Sequence, residues 1–174
     1  MKPFSILAGA VLAAGTLLHA AEAHNAAVVG PWQAEGSVYM SSPNTAKFMG
    51  VLKGILFVQK GDKEEIDALP FVCPSVQEMN LDNQTLVAKG DCMIGAKDDI
   101  IYASYECAGP LGGCEGNFNL QGGTGKFAKI AGGSHLSSRM KESIFVLDPS
   151  AGVADRAASG ILLLPDLTYK IPSK

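Results

Sequence analysis

Gly122-Gly123-Thr124-Gly125-Lys126-Phe127, closing at Gly132-Gly133, is the stretch whose reading decides the fold. Glycine at this density would break a helix, and each glycine supplies backbone that can turn where φ must be positive. Phe127 and Ile130 are the large apolar anchors between the glycines. The segment reads as a tight corner between two strands. It marks a fold and holds no chemistry of its own: its likeness to a phosphate loop is superficial, since the spacing is wrong and no helix follows.

Working outward, short strands punctuated by turns are expected at 32–40, 48–59, 76–81, 86–94, 100–107, 114–120, 133–139, 143–147 and 161–169. In the second, Phe48, Leu52, Leu56 and Val58 share a face with Gly50 and Gly54, a mixture suited to a curved strand. Residues 151–158 are read as loop and the chain before Trp32 as frayed. No amphipathic helix of useful length appears. The expected class is all-β: a single antiparallel barrel of about eight strands, because closure protects so many edges, with a two-sheet sandwich as the alternative.

Residues 1–23 read as a secretory signal: Lys2, then an apolar stretch from Phe4 to Leu18, then Ala21-Glu22-Ala23 with small residues at −3 and −1. Residues 24–174 remain as one domain of expected periplasmic or secreted location. The net charge is −3, and no basic cluster or aromatic-and-basic stripe occurs, which disfavours nucleic acid and anionic membranes as partners. The charged run at 62–65 reads as a solvated loop.

Cys73, Cys92, Cys107 and Cys114 form an even set suited to two disulfides in an oxidising compartment. A two-residue turn at Asp82-Asn83 places Cys73 opposite Cys92, and a symmetric loop at 108–113 places Cys107 opposite Cys114. Pairing Cys92 with Cys107 would leave them about 17 Å apart along a strand, beyond a disulfide's reach.

Residues 116–132 resemble the strand-turn-strand element of allene-oxide-cyclase-like and dirigent-like barrels, which carry a similar G-G-[ST]-G-x-F-x-x-x-x-G stretch. The whole chain resembles uncharacterised exported bacterial proteins that join this element to a preceding Cys/Gly bracket. The resemblance implies an eight-stranded barrel with a largely apolar interior. It departs from the pattern at Lys129, where these relatives often carry glycine, and in having two disulfides.

Candidate chemistry is sparse. His24 and His135 form the sharpest metal hypothesis, a copper site using a His24 amino terminus, and are read in preference as a terminal and a surface histidine. Asp98-Asp99 lacks the alternating acidic positions of a calcium loop. No nucleophile motif is present. Glu35, Glu78, Glu106 and Glu115 lie in expected strands, where alternation can turn one or two inward. Tyr39, Phe57, Tyr102, Glu106, Phe118 and Tyr169 are the expected lining of a cavity, mixing apolar bodies with polar ends. The reading favours an exported barrel binding one small apolar or amphipathic molecule, without cofactor or metal. A filled interaction module is the alternative, and a cyclase- or isomerase-like enzyme stands behind both.

Overall fold

The structure, a computed structural model, describes residues 23–61, 66–148 and 153–172. Eight antiparallel strands follow one another around a closed barrel: β1 (Ala23–Ser42), β2 (Thr45–Lys60), β3 (Ile66–Asn80), β4 (Thr85–Ala96), β5 (Asp99–Pro110), β6 (Gly113–Gly123), β7 (Ala131–Asp148) and β8 (Val153–Lys170). β8 closes against β1, so no strand is left as an edge. No helix among the described residues is long and apolar enough to cross a membrane.

The strands are longer than expected. β1 begins at Ala23 and pairs with β8, so the segment read as frayed is a strand, with His24 opposite Tyr169. β3 begins at Ile66; Pro70 and Pro74 hid it, since proline usually argues against a strand interior. The two short strands expected at 133–139 and 143–147 are one, β7. Residues 153–158, read as loop, belong to β8. The charged run at 62–65, positions 151–152 and residues 1–22 lie outside the described residues.

The registered path Ala34–Leu52–Cys73–Cys92–Ala103–Leu120–Gly132–Tyr169 returns to β1 at His24, ten residues before its start. A stagger larger than the strand number tilts the strands and widens the bore beyond that of the tightest eight-stranded barrel. Several rings fill that bore where a strand facing them carries glycine. A Cβ on Gly160 would lie 2.4 Å from the Trp32 ring, one on Gly54 2.9 Å from Phe71, and one on Gly90 2.7 Å from Tyr105. The face of β2 carrying Phe48, Leu52, Leu56 and Val58 points inward.

Both disulfides lie inside the barrel. Cys73–Cys92 joins directly opposed residues of β3 and β4 with Cα atoms 4.1 Å apart. The turn between them spans four residues, 81–84, with the same centre as the expected two-residue turn. Cys107–Cys114 differs from the expected geometry. The β5–β6 turn uses only Leu111-Gly112, which sets Cys107 opposite Gly116 and makes the bridge a diagonal one, with Cα atoms 5.4 Å apart. Gly116 leaves the room it needs: a Cβ there would sit 2.8 Å from that of Cys107.

The glycine corner is one turn of 3-10 helix, Gly125–Phe127. It is pinned to the β4–β5 turn: the Thr124 hydroxyl donates to Asp98 O at 2.6 Å, and the Lys126 amide donates to Asp99 Oδ1 at 3.0 Å. Ile130 is buried, and Phe127, expected to anchor the corner into the barrel end, lies there half-buried against the core. Gly125 has φ +55°, and a Cβ there would lie 2.1 Å from Asp99 Oδ1. Lys129 has φ +62°, so the position where glycine is usual in the resembling families keeps the conformation glycine favours. Gly125→Val is therefore expected to lower stability by more than about 1 kcal/mol, and Lys129→Gly to raise it by up to about 1 kcal/mol, both read as denaturant midpoints.

Candidate functional site

Alternation along each strand turns Val28 of β1, Leu56 and Val58 of β2, Ile94 of β4 and Ile101 of β5 into the bore. On β8 the register against β1 shifts beside Pro165-Asp166, which lets both Leu164 and Leu167 face inward although they are three residues apart. These side chains line a pocket of about 360 Å3 open at one end of the barrel. The corner supplies Lys126 and Phe127 to its mouth, and Lys60, Asp67 and Tyr169 complete a polar rim.

The rim charges are organised. Lys60 Nζ donates to Asp67, and that hydrogen bond, together with the nearby positive charge of Lys60, holds the Asp67 carboxyl below the ordinary carboxylate range. Lys126 Nζ lies 3.5 Å from Asp99 Oδ2 and 5.1 Å from the centre of the Phe127 ring.

Phe118 floors this pocket and also borders a smaller inner chamber of about 60 Å3. Both disulfides face the chamber, with Trp32, Phe71, Gln77 and Tyr105. Tyr105 Oη donates to Ser75 Oγ at 2.8 Å, and Ser75 Oγ donates to Cys73 O at 2.9 Å. Burial pushes the Tyr105 phenol up, so it stays protonated as the head of that chain. Trp32 Nε1 and Gln77 Oε1 are buried in the same region without a protein partner. Their cost, about 1–3 kcal/mol each if left unmet, makes the chamber receptive to a group that both donates and accepts.

Of the residues expected to line a cavity, the structure brings Phe118 and Tyr169 to the bore. Tyr39, Phe57, Tyr102 and Glu106 lie on the outside, each a single position from an inward neighbour: Val38, Leu56, Ala103 and Tyr105. Ring size guided that expectation, and strand parity overrules it. Glu35, Glu78 and Glu115 also point outward. Glu115 accepts hydrogen bonds from Arg139 Nη2, from Ser137 Oγ at 3.0 Å, and pairs with His135 Nε2 at 2.9 Å. Arg139, then His135, hold its carboxyl low. His135 is thus engaged on the surface, while His24 stacks with Tyr169, ring centres 5.3 Å apart. No group of three or more His, Cys, Asp or Glu side chains suited to a metal occurs among the described residues.

No protein-family model matches the chain, and no curated protein does. Among solved structures it is similar to a pterocarpan synthase dirigent protein at 10% identity and a TM-score of 0.35, covering 93% of this chain and 98% of that one. At this distance the likeness carries no argument about this chain, whose eight-stranded antiparallel barrel stands on its own strand pairing.

The rim yields a test by titration. A carboxyl whose pKa is depressed in the folded chain contributes stability that is present at neutral pH and lost as pH falls through that pKa. The Asp67 carboxyl carbon, followed by NMR, is expected to titrate below an ordinary aspartate, and Lys60→Met to move its midpoint upward.

Proposed function

We propose that this protein is an exported barrel that binds one small amphipathic molecule in the open pocket of its bore. The observation that carries this reading is the pocket itself: about 360 Å3, walled by aliphatic side chains and rimmed by Lys60, Asp67, Lys126 and Tyr169. That volume falls within the range of small-molecule sites, and the pattern of apolar wall with a few converging polar groups is the usual one. The apolar body of the ligand packs among Val28, Leu56 and Leu164, and its polar end meets the rim. An accessible pocket of this size argues against a barrel filled by its own side chains. Two buried disulfides suit an oxidising compartment.

Magnitudes bound the affinity. Burying about 200 Å2 of ligand surface gives about 5 kcal/mol at ~25 cal/mol/Å2, a dissociation constant of hundreds of micromolar. Two or three hydrogen bonds at the rim, at about 1 kcal/mol each, make the micromolar range the ceiling before the costs of association.

The test is titration of an environment-sensitive hydrophobic dye against folded, oxidised protein, with displacement by small amphipathic molecules. Leu69→Trp, which fills the half-buried pocket wall, is expected to weaken dye binding about tenfold or more. Val87→Trp, on the outer face, is expected to leave it unchanged. Equal affinity in the Leu69→Trp protein would remove the bore as the site.

A further inference from the structure

Trp32 is the single tryptophan of the chain, and parity with Val28 and Ala34 turns its indole into the bore. The ring lies over Gly160 of β8 and keeps only 6% of its surface exposed. Gln77 faces inward from β3, two positions from Ser75 and four from Cys73. Indole Nε1 and amide Oε1 are both buried without a protein partner, and both residues line the inner chamber. Phe118 borders the chamber and the open pocket, but neither Trp32 nor Gln77 lines that pocket.

We propose that the chamber is a second binding site, for a small neutral molecule that carries a hydroxyl or an amide on a short apolar body. Size sets the first limit. The space is about 60 Å3, under half of the roughly 150 Å3 that admits benzene, and it suits about four non-hydrogen atoms. Charge sets the second. No charged side chain lines the chamber, so an ion brought there would be desolvated without a counter-ion. Hydrogen bonding sets the third: Trp32 Nε1 needs an acceptor and Gln77 Oε1 needs a donor.

Water alone meets these groups poorly. At about 10–15 Å3 each, roughly four to six water molecules would fill the chamber, each seeking about three hydrogen bonds. The polar side chains facing it are Trp32, Gln77, Tyr105 and Ser138, and the Tyr105 hydroxyl already donates to Ser75. The rest of the wall is mostly aliphatic carbon, aromatic ring and disulfide. A molecule with an apolar body and one polar group matches that wall better than a water cluster. Its way in lies on the β7–β8 side, where Ser138, Met140 and Leu162 line the chamber yet stay only half-buried.

The lone indole gives the test a single reporter. Folded, oxidised, 15N-labelled protein is titrated with 1-propanol and, separately, with acetamide, while the Trp32 indole N–H is followed by NMR. The expected result is a saturable shift with a dissociation constant of roughly 1 mM or weaker, given so few ligand atoms. Nuclear Overhauser contacts from the probe to the indole accompany it. Saturation by the alcohol alone assigns a hydroxyl ligand, and saturation by acetamide alone an amide. Gln77→Leu is expected to weaken binding about tenfold, and Ala88→Leu, which extends into the chamber, to abolish it. Glu78→Gln, one position away on the outer face, leaves it unchanged. Should Ala88→Leu not fold, Gln77→Leu carries the test. A shift that rises without saturating overturns the proposal, as does saturation untouched by Gln77→Leu. Contacts from the indole N–H to water alone at the highest probe concentration overturn it in favour of a hydrated core.

Discussion

Everything in this molecule depends on strand parity in a closed ladder. Once β8 pairs with β1, every residue is either inside or outside, and a slip of one position would exchange the two sets along a whole strand. Two covalent bonds resist that slip. Cys73–Cys92 and Cys107–Cys114 tie β3 to β4 and β5 to β6, and all four sulfur-bearing residues are buried in the lumen. On the chain-entropy account, closing loops of these lengths contributes about 2–3 kcal/mol each, a large share for a domain of this size. The bridges therefore fix which side chains face the bore as well as adding stability.

The stagger sets how much room those side chains leave. Ten residues of offset over eight strands make a bore wider than aliphatic residues alone would fill. Trp32, Phe71 and Tyr105 occupy its middle, each set over a glycine on a facing strand. Nearer the corner end, Val28, Leu56, Ile94 and Leu164 are too short to meet across the axis, and the pocket is the space that remains. The corner gives this end a charged margin through Lys126, and its attachment to Asp98 and Asp99 holds that margin in place.

The fold was largely legible. The glycine corner, the turn signals and the cysteine spacing are local features, and they lead to an all-β closed barrel with the two bridges inside it. Strand ends were less legible, because Pro70 and Pro74 mask a strand that lies flat against β2 with its prolines outward. The site lining was readable in principle. Since bonded cysteines face inward, residues an even number of positions away share their face: Ser75 and Gln77 from Cys73, Ile94 from Cys92, Tyr105 from Cys107, Phe118 from Cys114. The same count puts Tyr102 and Glu106 outside. Selecting by aromatic ring, and by carboxylate at Glu106, instead drew Tyr39, Phe57, Tyr102 and Glu106 from the outer face. The inward pair Leu164 and Leu167 had no such signal, since parity breaks at the register shift beside Pro165-Asp166.

Inner and outer faces thus differ in what they present: an open apolar pocket in the bore, and a separate set of side chains on the outer wall. Adjacent residues report on them independently, because Val28 and Val29, Ile55 and Leu56, and Leu163 and Leu164 point to opposite faces. The most direct measurement is methyl NMR of these six residues during saturation with the amphipathic dye. The account predicts that the methyls of Val28, Leu56 and Leu164 shift with a common saturation curve while those of Val29, Ile55 and Leu163 stay still. Shifts confined to Val29, Ile55 and Leu163 would contradict it, since the ligand would then lie on the outer wall and not in the bore.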